Sequence, residues 1–457
     1  MHSGPSSTTL SRRTALRVGA LTVAGLSATG LGSRRTRARG DDSEVTVATR
    51  NLGLGANLAS LFFVRSPDEL AETAGRLYRD VRDSAVERRM AAIAAELAAH
   101  EPDVVGVQEA ALVRTDASAE ATTLGKTNAE NVAVDFLAEL TAALAGEGVP
   151  YEVAQVTTNA DAEFPAATED GRLDVRLTDR DAVLVREGAD ATVESTSETA
   201  FDTALDIPVD GDVYRVKRGY GTVRATVRGR GVSVVNTHLE SASERVRNAQ
   251  ATQLADALGS LDGPLVVLGD ANDGPAFDGG AYETLAADFT DAWEAATPDD
   301  PGYTCCQRST LENEDSRLDE RVDLVLVRGG LTPTSAVRVG AAPSDRIDAG
   351  DGRTLWSSDH AGVVATLART TESAESETAE RRTTAADGNA TTGPTNRTAT
   401  TDSTGETADD RTREATSNES RPGTASDAET PGFGPVASLA GLFCGGAALA
   451  RRARRDD

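Results

Sequence analysis

Five apolar runs in the 457-residue chain stop abruptly in polar clusters that hold the residue types chemistry needs. They are Arg50-Asn51, Gln108-Glu109, Asn236-Thr237-His238, Asp270-Ala271-Asn272 and Asp323. A sixth cluster, Ser358-Asp359-His360, precedes the last run. Each alone reads as a capped turn. Together they read differently, because the chain has only four histidines. His2 lies in the N-terminal segment, and His100 closes a helix, where it suits the dipole. The remaining two, His238 and His360, both sit beside acids or amides. Carboxylate and amide oxygens without thiolates select a hard cation, Mg²⁺ or Mn²⁺. Such an ion polarises a phosphoryl oxygen and steadies a leaving oxyanion. Imidazoles add hydrogen bonds to the developing charge, and an acid holds the imidazole in the right tautomer. An Asp next to an Asn, as in Asp270 and Asn272, accepts from and orients an attacking water. The chemistry suited to this set is metal-assisted phosphoryl transfer. No Gly-rich phosphate loop or Ser-centred nucleophile elbow occurs, which disfavours nucleoside triphosphate binding and covalent serine chemistry.

The elements that must position these clusters lie within residues 44–369. Strands are expected at 44–51, in "PDVVGVQEA", at 151–156, 181–186, 222–228 and 232–237, in "PLVVLGDA", and near 322–327 and 361–367. Capping boxes at Ser66-Pro67-Asp68-Glu69, Ser84-Ala85-Val86-Glu87 and Ser241-Ala242-Ser243-Glu244 open three helices. Met90, Ile93, Ala94 and Leu97 form an apolar stripe. A further helix is expected from Asn128 through Phe136, Leu140 and Leu144. Strands alternate with helices, yet neighbours such as 222–228 and 232–237 favour antiparallel pairing. The fold class is therefore α/β, with a mixed sheet or two mixed sheets face to face and helices outside.

Composition frames the rest. The net charge is −27, Lys126 and Lys217 are the only lysines, and aromatics make up 4%. This pattern predicts adaptation to brine, where the Debye length falls to roughly 3 Å, so acidity argues only weakly against a polyanionic substrate. Cys305, Cys306 and Cys444 form neither a disulfide framework nor a zinc site. The adjacent pair is read as packing rather than as a vicinal bond. Residues 1–40 carry Ser11-Arg12-Arg13 before an apolar stretch, a twin-arginine export pattern. Residues 370–430 are Thr, Ser, Asp and Glu with scarcely any large apolar residue, so they are expected to stay disordered. They carry sequons at Asn389, Asn396 and Asn418. Residues 431–457 hold Pro431-Gly432-Phe433, an apolar run Val436 to Ala450 and a basic end. This resembles the archaeal PGF-type sorting signal, which implies an archaeosortase-like processing enzyme and a membrane anchor. These ends predict an exported, cell-surface protein.

The body resembles the endonuclease/exonuclease/phosphatase superfamily of DNase I-like enzymes. The matching stretches are "ATRNLGLGANL", "PDVVGVQEA", "VVNTHLES", "VVLGDANDGP", "ERVDLVLV" and "SSDHAGVVATL", in that order. The resemblance implies a four-layer α/β sandwich of two mixed sheets flanked by helices. It also implies Glu109 as central metal ligand with Asn51 and Asp359, and Asp270 aligning or deprotonating the water. Asn272 would hold the phosphate or a second metal ion, His238 and His360 would contact the phosphate, and Asp323 would buttress His360. Asp181, in "RDAVLVR", is left out of that set. The substrate is expected to be a phosphate ester, DNA or RNA foremost, with phospholipid diesters and phosphomonoesters as alternatives and an inactive binding protein as the non-enzyme one. "YRVKRGYGTVRATVRGR", 214–230, carries six cations and no acid. It reads either as a polyanion track using Arg224 and Arg228 or as a strand edge blunted by charge.

Overall fold

The computed structural model describes residues 44–117, 127–209, 212–277 and 280–369. The export, linker and sorting segments expected at either end lie outside the described residues.

Strand alternation sorts the apolar side chains into separate cores. In Leu265–Asp270, Val266 and Leu268 enter one cluster while Leu265 and Val267 enter another. In Glu44–Asn51, Val45 and Val47 face the same cluster as Val266, and Ala48 faces away from it. Three cores follow. Val45, Val47, Val104 and Val183 meet Val223, Val234, Leu268 and Val325 between two sheets. Leu77, Met90, Ile93, Leu97, Phe136 and Leu140 cover one outer face. Ala251, Leu254, Leu258 and Leu285 cover the other. Three cores separate four layers: helices, sheet, sheet, helices.

Both sheets are mixed. The first runs, in spatial order, Leu331–Val339, Gly362–Arg369, Glu44–Asn51, Val104–Gln108, Gly171–Arg186, Leu112–Asp116 and Asn131–Asp135, with Tyr151–Thr168 also paired to Gly171–Arg186. The second runs Thr290–Asp291, Asp323–Arg328, Leu265–Asp270, Arg230–His238, Gly219–Val227 and Ala191–Ala200. Each has a parallel pair near its centre, Glu44–Asn51 with Val104–Gln108 and Arg230–His238 with Leu265–Asp270. The two-sheet arrangement is the one the sequence offered as an alternative to a single mixed sheet.

Two residues bring the sheets together. Asn236 donates from Nδ2 to the carbonyls of Val107 and Ala182, both at 3.0 Å, and accepts from Gln108 Nε2 at 2.7 Å. Its amide therefore spans from the second sheet to two strands of the first. Gly106 makes this approach possible, since a Cβ there would lie 2.6 Å from Asn236 Oδ1 and 2.9 Å from Leu268 Cβ.

Local expectations were met unevenly. Ser66 caps Pro67–Asp83, accepting from the Glu69 amide, with Pro67 in the first turn. Ser84 is no N-cap: it ends that helix, and Val86–His100 starts from Ala85 in the left-handed region without a side-chain cap. In the third box Ser243 caps the helix, not Ser241. The helix expected from Asn128 begins only at Phe136. Asn131–Asp135 is a strand, and Asp135 caps the helix by accepting from the Leu137 and Ala138 amides. The strand expected at 151–156 runs on to Thr168 and turns into a long hairpin with Gly171–Arg186. Ala191–Ala200 is a strand that polar composition concealed.

Gly106→Ala should destabilise the fold by about 2 kcal/mol through overpacking, and Asn236→Ala by about 2–4 kcal/mol through unpaired buried groups. The double variant should lose less than the two effects added, because removing the amide makes room for the methyl. Urea unfolding at fixed salt measures all three, and strict additivity would show that the two positions do not share one contact.

Candidate active site

The alternation that builds the inter-sheet core also aims the polar strand ends. Positions 266, 268 and 270 share a side, as do 234, 236 and 238, and 323, 325 and 327, and 45, 47, 49 and 51. Asp270, His238, Asp323 and Asn51 therefore finish the rows that face the other sheet. Strand register sets them side by side: His238 pairs with Asp270 and Asp270 with Asp323. In the facing sheet Asn51 pairs with Gln108.

Asp270 Oδ2 is the hub. Asn51 Nδ2 donates to it at 3.1 Å, His238 Nε2 lies 3.6 Å away and His360 Nε2 3.8 Å away. Its other oxygen accepts from the Asn272 amide at 2.8 Å. Asp323 Oδ2 accepts from His360 Nδ1 at 2.8 Å, and Asp323 in turn starts a strand, so that imidazole is anchored to the sheet. All these groups are buried except Asn272, which is half-buried and turns its Nδ2 to the Leu239 carbonyl at 2.9 Å.

Glu109 and Asp359 flank the Gly53-Leu54 backbone. Glu109 Oε2 accepts from the Leu54 amide at 2.9 Å, and a Cβ on Gly53 would fall 2.5 Å from Asp359 Oδ1. Gly53 has φ +63°, a second reason for glycine. Glu109 itself sits in the left-handed region at φ +54°, a conformation a non-glycine residue holds only under constraint. Burial pushes its carboxyl up to about 8, with repulsion from Asp359 the next cause. Burial also raises Asp359, whose Oδ1 has no hydrogen-bond partner among the described residues. Two adjacent buried carboxylates, one with an orphaned oxygen, fit a divalent cation of hard type. Asn51 fits differently from expectation. Its oxygen accepts from the Gly53 amide at 2.9 Å, so its NH₂ faces Asp270 and, at 3.4 Å, Glu109. It bridges the two carboxylates and does not offer them an oxygen.

Two buried arginines stand behind the site. Arg50 donates to the His360 carbonyl, to Ser357 Oγ at 2.8 Å and to Glu96 at 3.1 Å. Arg89 donates to the carbonyls of Leu52, Gly53 and Ser357. Burial pulls its guanidinium down to about 10, opposed first by Asp359. Together they tie the 357–360 loop to the 52–53 loop, which places Asp359 and His360. Arg89 was readable as a cation on the apolar stripe of its helix, three residues after Val86 and four before Ile93. A second group, also not anticipated, surrounds His238: Arg218, Asp179 and Asp181. Asp181 is fully buried, pushed up to about 8 by burial and by Asp179, and lies 4.0 Å from His238 Nδ1.

Of the basic stretch, Arg218 reaches the site at His238, but Arg224 and Arg228, the two residues expected to bind substrate, do not. Arg215 pairs with Asp206, Arg218 with Asp179, and Arg228 with Asp103 at 2.8 Å and the Glu44 carbonyl. Arg228 follows Val227, seven register steps from Tyr220, which pairs with Thr237 beside His238; at ~3.3 Å per step that is more than about 20 Å away. Arg224 is exposed, but on the outer face, opposite to the inward Val223 and Ala225. The assignment of both to substrate along one track is therefore corrected: alternation and ion pairing disperse those cations. Cys305 and Cys306 pack with Val322 and Phe277 in a small apolar cluster, with their sulfurs against each other, in a segment bridged to His360.

A family model described as "Endonuclease/Exonuclease/phosphatase family" matches residues 74–360. No curated protein matches the chain. Among solved structures, an endonuclease/exonuclease/phosphatase family protein from Bacteroides thetaiotaomicron is 16% identical, with TM-score 0.45 over 72% of this chain and 96% of that one. A mannosyl-6-phosphatase from the same organism is 16% identical, with TM-score 0.45 over 71% and 99%. TDP2 from D. rerio, complexed with single-strand DNA product, is 16% identical, with TM-score 0.41 over 71% and 99%.

The raised carboxyls give stability a pH dependence. Glu109 stands at about 8 and Asp270 at about 6, both raised mainly by burial, against roughly 4 in an unfolded chain. Their contribution is complete below about pH 4 and is lost as the pH climbs through the folded values. Metal-free protein should therefore weaken between about pH 4 and about pH 8, and Mg²⁺ should raise Tm more near pH 8 than near pH 5. Thermal unfolding with EDTA and with Mg²⁺ checks this; an equal rise at both would separate these carboxyls from the cation.

Proposed function

The chain belongs to the endonuclease/exonuclease/phosphatase family and is a phosphoric ester hydrolase, and on that premise we propose that it is an exported Mg²⁺- or Mn²⁺-dependent phosphodiesterase of nuclease type. The observation that carries the proposal is the meeting of Asn51, His238 and His360 around one oxygen of Asp270, beside the Glu109–Asp359 pair.

A divalent cation held by Glu109 and Asp359 would supply positive charge against the phosphoryl oxygens. The chain's own residues do the remainder. Asp270, raised to about 6, is a carboxylate at neutral pH with enough basicity to accept a proton from water. As the water oxygen bonds to phosphorus, its proton passes to Asp270 Oδ2, and the ester P–O bond breaks on the far side with its electron pair on the departing oxygen. Asn51 holds Oδ2 in place through its 3.1 Å hydrogen bond. His360, backed by Asp323, can carry a second proton and place positive charge on the phosphoryl oxygens. The wall is rich in buried carboxyls, and the arginines behind it, Arg50, Arg89 and Arg218, are engaged with protein acceptors. That balance favours a monoanionic diester over a dianionic monoester.

Nucleic acid is the substrate class proposed, now on the site rather than on the basic stretch. Export rests on the twin-arginine pattern within residues 1–40 and anchoring on the run near Val436–Ala450.

Bis-p-nitrophenyl phosphate should be hydrolysed with Mg²⁺ or Mn²⁺, faster than p-nitrophenyl phosphate, and plasmid DNA should be cut in high salt. Glu109→Gln should abolish the metal-dependent rate, and His360→Ala should cost about 10²–10⁴-fold in kcat with the fold intact by circular dichroism. Turnover that needs no cation, or that survives in Glu109→Gln, would reject the assignment.

A further inference from the structure

We propose that Arg218 is a positioning residue that locks His238 as the Nε2–H tautomer, so that the two histidines of the site have opposite polarity. What the donor acts on rests on the phosphodiester reading above; the tautomer rests on hydrogen-bond chemistry alone.

His238 is fully buried, and its Nδ1 lies 3.1 Å from Arg218 Nη1. The same Nη1 donates to Asp179 Oδ2 at 2.8 Å, so its two hydrogens have two acceptors. A guanidinium has donors only and keeps its charge in proteins. The nitrogen facing it must therefore offer a lone pair, which puts the ring hydrogen of a neutral imidazole on Nε2. The one carboxylate near the same nitrogen does not compete: Asp181 Oδ1 is 4.0 Å away, beyond hydrogen-bond length, and its Oδ2 accepts from Asn159 at 2.8 Å. Charge points the same way, since burial first and Arg218 second hold His238 well below the usual imidazole range.

His360 is wired in reverse. A carboxylate oxygen of Asp323 faces its Nδ1 at 2.8 Å, so Nδ1 carries hydrogen and the lone pair of the neutral ring lies on Nε2. Both Nε2 atoms lie within 3.8 Å of Asp270 Oδ2. His238 Nε2 has no hydrogen-bond partner among the described residues. A fixed N–H aimed there is a donor held ready for a phosphoryl oxygen, and it requires no reorganisation when charge develops. His360 turns a lone pair to this space from Nε2, and His238 turns a hydrogen to it. In the other tautomer His238 would turn a lone pair toward the same oxygen and repel it.

The chain's four histidines make the test direct. Histidine-labelled ¹⁵N spectra of the full chain, assigned with His238→Gln, report which ring nitrogen of His238 bears hydrogen. The wild type should show bare Nδ1 and protonated Nε2. Arg218→Met should bring hydrogen onto Nδ1 and lower kcat on bis-p-nitrophenyl phosphate by about 10²-fold, with KM moved less than about threefold. Arg218→Lys, which keeps a cationic donor, should retain the wild-type tautomer and recover most of kcat. Hydrogen on Nδ1 in the wild type overturns the proposal whatever the variants do, and so does Arg218→Met with the wild-type spectrum and rate. Should Arg218→Met fail to fold, the wild-type spectrum and Arg218→Lys decide alone. The expected spectrum without diester turnover would uphold the tautomer and defeat the phosphodiester reading instead.

Discussion

The separation of the two sheets is the constraint on which everything at the site depends, and Asn236 sets it with one amide. Its NH₂ reaches two carbonyls of the first sheet from a strand of the second, and its oxygen accepts from Gln108, the residue before Glu109. The contact lies two positions before His238 and one row below the catalytic groups. A shift of the strut would move Glu109 and Asn51 relative to His238, Asp270 and Asp323, because each set is fixed to its own sheet by register. Aliphatic packing alone tolerates small slides between sheets; a three-bond amide contact buried among valines does not, since leaving those groups unpaired in the dry core is costly. Gly106 is the complementary half of the device, providing the space into which the amide fits.

Given that frame, the site's electrostatics follow from what is buried beside what. Glu109, Asp359, Asp270 and Asp181 are all raised by desolvation first, and repulsion from a neighbouring carboxylate adds to the effect in each. Such a group of acids persists because Arg50, Arg89 and Arg218 are buried with it and are themselves spent on backbone carbonyls and carboxylates. Those arginines do not neutralise the Glu109–Asp359 pair by contact. They hold the loops, and they leave a local excess of negative charge where a divalent ion fits. The left-handed φ of Glu109 belongs to the same economy of placement: the chain turns sharply out of Val104–Gln108, and the carboxylate accepts from the Leu54 amide.

Much of this was legible in the sequence, for an identifiable reason. The strands that carry Asn51, Glu109, His238, Asp270 and Asp323 are continuous apolar runs, which only a doubly covered sheet explains, and their polar ends stand out against that background. Those runs left a single mixed sheet or two packed sheets open, and the four layers were implied by the family resemblance. Two kinds of feature were not legible. Extended polar hairpins such as Tyr151–Thr168 with Gly171–Arg186 are stabilised by cross-strand pairing, which leaves no periodic apolar signal. Asn131–Asp135 looked helical because Val132, Phe136 and Leu140 fall at helical spacing, but Asp135 is a better N-cap than Asn128 and the strand ends there. At the site, Asp181 stands at a position where members of the family vary, and alternation within "RDAVLVR" does not show which face is inward. Arg218 was counted with its neighbours as surface charge, yet it is as buried as the histidine it touches.

The fate of the 214–230 stretch shows why clustered charge in sequence is weak evidence of a binding track. On a strand, adjacent cations point to opposite faces, and a hairpin sends its two ends to opposite ends of the sheet. Arg215, Arg218 and Arg228 meet three different acids, Asp206, Asp179 and Asp103, at three places in the fold. Two of these acids, Asp103 and Asp179, are buried and take their cations from this run, so a local run of arginines can serve carboxylates that converge from elsewhere. An anionic substrate then gains little from long-range attraction to this surface. Recognition has to come at contact, from the cation between Glu109 and Asp359 and from the two imidazoles. Fixing the direction of each N–H therefore matters more here than it would in a protein that draws its substrate in by charge.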